Sequence, residues 1–207
     1  MDLAHVDMTL PQLAALAAAL GWASGLRLYA VVFLTGAAGY LGWVTLPEGL
    51  QLLQHPLVLG ASGLMVAVEF FADKIPGLDT LWDAVHTFIR IPAGAALAAG
   101  VFGGDHATWA VVAALMGGAL AATAHTAKAT TRAAVNTSPE PFSNIGLSLL
   151  GDAAVPLLLW LAWEHPFVFW PLLALGIVLA LVLIVVLLRF LRALVRRFLP
   201  AAPSATA

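Results

Sequence analysis

Residues 167–197 read FVFWPLLALGIVLALVLIVVLLRFLRALVRR, and this stretch decides the fold. It holds no charged residue from Phe167 to Leu188. That is long enough for one helix to cross the roughly 30 Å of a bilayer's hydrocarbon. A helix on the surface of a soluble protein keeps a polar face, and this one has none. Its polar residues come together at the end, where Arg189, Arg192, Arg196 and Arg197 fall near one helical face. Each would add about 1 kcal/mol of attraction to an anionic cytoplasmic leaflet. The stretch therefore reads as a membrane span with a basic anchor.

The rest of the 207-residue chain agrees. Hydrophobic residues make up 62% and charged residues 10%, against roughly half and about a quarter in soluble domains. Mean hydropathy is +0.97. Too few polar residues are present to coat a soluble domain of this size. The absence of cysteine excludes disulfides, thiolate catalysis and cysteine metal sites. The opening MDLAHVDMTLPQ is acidic and lacks a basic region, so no cleaved signal peptide is expected. Residues 1–200 read as a single transmembrane domain, and the small, polar residues 201–207 as a disordered tail.

Six apolar spans are expected, near residues 13–44, 56–72, 91–102, 108–127, 144–163 and 167–188. The first is too long for one straight crossing, and Gly21-Trp22-Ala23-Ser24-Gly25 is the expected break. Lys74 and Arg90, Lys128 and Arg132, and the C-terminal arginines fall in alternate connections. Six spans with both termini cytoplasmic satisfy that alternation; an odd number would put the acidic N-terminus outside. The fold class is all-α: a polytopic helical membrane bundle of about six spans, with room for re-entrant or broken helices. A weak internal repeat runs from Lys74 to Asp105-His106 and again from Lys128 to Glu164-His165; transporter folds are often built on such repeats. Those two acidic-His pairs and His55 read as solvated groups at the outer face. Runs such as AAGVFGG and ALMGGALAATA let helix backbones approach closely.

Chemistry concentrates in three places. In residues 76–90, Leu78, Leu81, Trp82, Val85 and Ile89 make one helical face, and Asp79, Asp83, His86 and Arg90 the opposite one. Such a helix either lies at the interface with Trp82 at headgroup level or dips into the bundle beside a wet cavity. Asp79, Asp83 and His86 also have a metal-ligand spacing, but Lys74 and Arg90 compete for the carboxylates, so no metal is expected. Second, Arg27, Glu69, His125 and Asp152 fall at membrane depth, with Asn144, Ser148 and Asp152 on one stripe. Each charge there costs roughly 2.5–3.5 kcal/mol, so these groups should pair inside the bundle, Arg27 with Glu69 or Asp152. A carboxylate left without a full partner suits proton exchange. Third, residues 128–144 hold Lys128, Arg132, Asn136, Ser138, Glu140 and Asn144 with Pro139 and Pro141, and read as an irregular cytoplasmic loop able to meet a phosphate or headgroup.

Two of these stretches, EFFADKIPGLDTLWDAVHTFIRIPAGAALAAG and AHTAKATTRAAVNTSPEPFSNIGLSLLGDAAV, resemble the bacterial membrane-protein family called domain of unknown function 4126. Asp73, Lys74, Asp79, Asp83, Thr87, Phe88, Arg90 and Pro92 carry the likeness in the first, and Lys128, Arg132, Ala134, Asn136 and Asn144 in the second. ASGLRLYAVVFL is similar as well, with Asn the more usual residue in the family at the place of Arg27. The resemblance implies a protein of the bacterial inner membrane and brings no activity with it.

The residues themselves point to a small transporter or channel-like protein for a polar or amphiphilic solute, with proton coupling. Glu69 and Asp152 would take protons or cations, Lys74 and Lys128 would hold an anionic group, and the 79–90 helix would gate access, with Asp73 and Asn144 beside them where the broken segments meet. The alternatives are a lipid-processing enzyme using Asp79, Asp83 and His86, and a structural membrane protein without a solute path. Nothing suggests a cofactor or nucleic acid. The expected partners are the bilayer, a small solute or lipid, and a second copy of the chain.

Overall fold

The computed structural model of the chain describes residues 8–75, 77–103, 107–137 and 141–198. Among these, regular structure is entirely helical: α1 Leu10–Tyr40, a 3₁₀ helix Glu48–Gln54, α2 Pro56–Ala72, α3 Leu78–Gly100, α4 Ala107–Val135, α5 Pro141–Glu164 and α6 Pro166–Phe198. The sequence punctuates these starts. Prolines, which lose no helical hydrogen bond in a first turn, open α2, α5 and α6. The His55 ring accepts the Leu57 N–H ahead of α2, and Gly77 takes the φ of 85° that turns the chain into α3.

Leu10–Tyr40, Ala107–Val135, Phe142–Glu164 and Pro166–Arg197 are long and apolar enough to cross a membrane, and the 3₁₀ helix with α2 forms a further candidate bent by 70°. Composition misjudges two helices. α3 carries Asp79, Asp83 and Arg90, yet it packs along α4 through Gly94 and Ala98 against Ala121 and Gly117. α1 is one continuous apolar run that does not continue straight. At Arg27 the backbone is extended (φ −150°, ψ 81°), and the second arm folds back along the first. Leu16 and Thr35, one from each arm, line a single cavity with Trp163 at the end of α5. In a straight helix they would stand about 28 Å apart. Arg27 is thus the tip of a helical hairpin sunk into the bundle, and Lys128 holds the tip by donating to the Leu26 carbonyl (3.1 Å).

The expected break at residues 21–25 is therefore displaced. Those residues are helical, and their glycines serve packing. A Cβ on Gly21 would lie 2.5 Å from Gly117 Cα, and one on Gly25 would overlap the Ala121 carbonyl oxygen. The close approach expected from small residues is made where α1, α3 and α4 cross.

Two further expectations change. Residues 78–90 are not a separate interfacial helix: they continue through Pro92 to Gly100 as one α3. Asp79, Asp83, His86 and Arg90 are buried, while Leu78, Leu81, Val85 and Ile89 are exposed. The amphipathic pattern was legible, and its polar side faces protein while its apolar side faces outward, the arrangement that suits a helix in lipid. Nor is Lys128 to Asn144 a loop. α4 stays helical to Val135 and α5 resumes at Pro141, so Lys128 and Arg132 point into the bundle. Lys74, by contrast, sits in the turn after α2, so the two lysines of the suspected repeat occupy different local settings. Ser138, Glu140, Asp105, His106 and residues 201–207 lie outside the described residues.

Candidate functional site

α3 and α4 run antiparallel and face each other with polar stripes of matching pitch. Asp79, Asp83, Thr87 and Arg90 lie on one, and Asn136, Arg132, Lys128 and His125 on the other. The rungs follow in order. Asp79 pairs with Arg132 (3.1 Å) and accepts from Asn136 (2.9 Å). Asp83 pairs with Lys128 (3.2 Å). Thr87 and His125 are hydrogen-bonded at 2.7 Å. Arg90 donates to His125 Nδ1 (3.2 Å), so this nitrogen carries no proton and Nε2–H donates to Thr87.

Arg90, with no exposed surface, joins the stripe to α2: one nitrogen pairs with Asp83 (2.8 Å) and the other with Glu69. Arg27 brings in α1 and α5. It pairs with Asp73 and Asp152, both at 2.9 Å, and donates to the Ser148 hydroxyl (2.8 Å) and carbonyl (3.0 Å). Lys74 donates to Ser148 (3.3 Å) and Phe70 O (3.1 Å) and stands 3.9 Å from Asp152. Burial lowers the Lys74 ammonium below its ordinary pKa, against the opposing pull of Asp152. Asn144 extends the cluster by donating to Asn136 Oδ1 (2.6 Å).

One atom stands at the centre. Asp73 Oδ2 receives Arg27 at 2.9 Å, Lys128 at 3.1 Å and Arg132 at 3.1 Å. The cluster as a whole joins Arg27, Lys74, Arg90, Lys128 and Arg132 to Glu69, Asp73, Asp79, Asp83 and Asp152. Its charges balance five to five, which is what makes so many ions affordable inside an apolar bundle. Hydrogen bonding is less complete. Glu69 Oε2, Asp73 Oδ1, Asp152 Oδ2, Asn144 Oδ1 and the Nε atoms of Arg90 and Arg132 make no hydrogen bond within the described residues. Buried polar atoms in that state cost about 1–3 kcal/mol each, so they are ready to take a ligand or water.

A cavity of about 260 Å³ reaches this cluster between α4, α5, α6 and the α1 tip. Trp22, Leu150 and Leu183 are among its apolar walls, and Arg27, Lys128 and Arg132 are its charged residues.

Of the residues singled out from the sequence, Arg27, Glu69, Asp73, Lys74, Asp79, Asp83, Arg90, His125, Lys128, Asn136, Asn144 and Asp152 are drawn into this one cluster. His86 stands apart. Its Nδ1–H donates to Trp82 O (2.8 Å), Nε2 accepts from Tyr29 (3.0 Å), and the ring stacks on Trp82. Arg27 takes Asp152 as expected, whereas Glu69 goes to Arg90. Asp79 and Asp83 are engaged by cations, and among the described residues no group of three His, Asp or Glu could hold a metal ion. Arg132, expected only as a headgroup contact in a loop, stands at the centre of the cluster. The signal was present in the spacing His125, Lys128, Arg132, Asn136, but it speaks only once these residues are known to be helical.

No match is found among curated proteins or among solved structures. A family model described as "Domain of unknown function (DUF4126)" matches residues 14–190, a region that holds the whole cluster, and the chain belongs to that family.

Proposed function

We propose that the protein is a small transporter or channel-like carrier of a bacterial inner membrane, moving a polar or amphiphilic solute with proton exchange at Glu69 and Asp152. The observation that carries this reading is the gathering of ten ionisable side chains around the sunken tip of α1, beside a cavity and with hydrogen-bonding atoms to spare. A re-entrant hairpin of this kind is tolerated in a membrane where it borders a polar cavity. Charges at this depth are a default sign of a solute or proton path. The exact charge balance also suits a second reading, a structural cluster that only ties the helices together.

The topology that fits is five crossings. The tip of α1 turns back, so Leu10 and Tyr40 lie on one face, and α2 to α6 cross. The face with Lys74 and the C-terminal arginines would be cytoplasmic, and the N-terminus would lie on the other side.

The chain has no cysteine of its own, so single cysteines at Ser24, Thr131 and Ser148 in sealed vesicles test the path directly. A carrier lets an impermeant thiol reagent reach them from either face. Labelling from one face only at all three positions rejects the carrier. Asp152→Asn and Glu69→Gln should insert normally yet lock labelling into one pattern at every pH. If both amides keep the parent's pH response, proton exchange at these residues is rejected.

A further inference from the structure

Three cations from two elements converge on a single oxygen of Asp73: Arg27 from the α1 tip, and Lys128 and Arg132 from α4. Asp73 Oδ1 meanwhile makes no hydrogen bond within the described residues. All three donors thus gather on one of its two acceptor oxygens. Here the donors are arranged around a point, as they would be around one oxygen of a bound phosphate or carboxylate. Asp73 caps α2, with its N–H bonded to the Glu69 carbonyl (3.0 Å) and its own carbonyl held by Arg132 (2.7 Å), so what can leave the site is its side chain and not its backbone.

The same three cations are the charged residues of the Trp22 cavity, and among the described residues no carboxylate lines it. Its remaining wall is almost wholly apolar. Leu150 and Leu183 on that wall are 67% and 44% exposed, so the cavity opens toward the surface that meets lipid tails. An apolar cleft entered from the bilayer and ending in three cations suits a molecule with a chain and an anionic head.

We propose that Arg27, Lys128 and Arg132 form an anion site at the inner end of the Trp22 cleft. Its ligand is a single-chain anionic amphiphile drawn from the bilayer, and Asp73 occupies the site as a tethered internal anion that the ligand's head displaces. The exchange puts one anion in the place of another on the three cations. The proposal rests on the carrier reading, for which it names the class of cargo.

The test uses the full chain in a neutral maltoside detergent, with 11-bromoundecanoate as probe, since bromine quenches a nearby indole. Quenching should saturate, and Trp22→Phe should remove the saturable component. Asp73→Asn should bind the probe about tenfold or more tighter, the worth of one charge-assisted hydrogen-bond partner released, and Lys128→Met should weaken it by a similar factor. Dodecanoate should compete, whereas dodecanol and inorganic phosphate should not. The proposal is overturned if Asp73→Asn binds no tighter, or if dodecanol or phosphate competes as well as dodecanoate. Should Asp73→Asn fail to fold, Lys128→Met decides alone, because unchanged affinity there means that the cations do not hold the head. Binding is read here without transport. Saturable quenching with one-sided cysteine labelling keeps the site and rejects the carrier; two-sided labelling without quenching does the reverse.

Discussion

Arg90 has no solvent to fall back on. Its guanidinium is divided between Glu69 and Asp83, and it donates to the His125 ring as well. Replacing it with methionine keeps much of the volume and leaves Glu69 only the more distant Lys128, at 3.8 Å, while its other oxygen has no hydrogen bond among the described residues. Removing one member of a buried pair costs about 3–5 kcal/mol, mostly because the opposite charge is left alone. Arg90→Met should therefore lower the thermal midpoint in detergent sharply. Adding Glu69→Gln should restore part of the loss, a non-additivity of about 1 kcal/mol or more. A fully additive double mutant would show that the two side chains do not pair. Asp83 should tolerate the loss better, since Lys128 remains 3.2 Å away. Sequence spacing placed Asp83 and Arg90 on one helical face, which is why their contact was legible. It could not choose between Glu69 and Asp152 for Arg27, because periodicity shows which residues share a face and not which faces meet.

Among the elements, α1 shows most clearly what glycine positions do and do not reveal. The run 21–25 invites a break there, but Gly21 and Gly25 are the points where α1 touches the α4 backbone. The break falls instead at Arg27, a residue with no special backbone freedom. Its φ of −150° is ordinary extended backbone, and the lost helical bonds are offset by Lys128 on the Leu26 carbonyl and by the four contacts of the Arg27 side chain with Asp73, Asp152 and Ser148. A break made by tertiary partners leaves no local mark. The same contrast predicts how glycines respond to substitution. Gly25→Leu should prevent α1 from docking and abolish a monodisperse preparation, because its first carbon already overlaps Ala121. Gly60→Ala and Gly146→Ala, at helical positions with open space around the added carbon, should be neutral or raise stability by about 0.4–1 kcal/mol. Equal effects at all three positions in a thermal-shift series would mean that α1 and α4 are not in contact as described. The stripe on α4 was missed for a related reason. Pro139 and Pro141 made residues 128–144 look irregular, although the helix runs on for two turns past Lys128 before it stops.

For the whole molecule, the hairpin of α1 changes the parity of the chain. Six apolar stretches with six crossings would return the C-terminus to the side of the N-terminus. If the first stretch goes in and comes back, five crossings remain, and the termini part. Position supports this count. Leu10 and Pro11 line a cavity with Phe102 and Trp109, where α3 ends and α4 begins. Leu34 and Val44 line another with Trp163 and Glu164, where α5 ends. The N-terminal end of α1 and its C-terminal end therefore share one face. That face carries His55, Glu48 and Glu164 and no lysine or arginine, while Lys74 and the basic end of α6 occupy the other. The distribution that suggested both termini inside is thus met equally well with the N-terminus outside, and its acidic residues offer no resistance to export. Single cysteines settle the matter in intact, right-side-out cells. Thr9→Cys and Trp43→Cys should both react with an impermeant maleimide added outside, and Arg197→Cys only after the membrane is opened. Labelling of Trp43→Cys without Thr9→Cys would mean that α1 crosses as a straight span. In that case Arg27 would no longer be the turning point of a hairpin, and the cluster that it anchors would need another explanation.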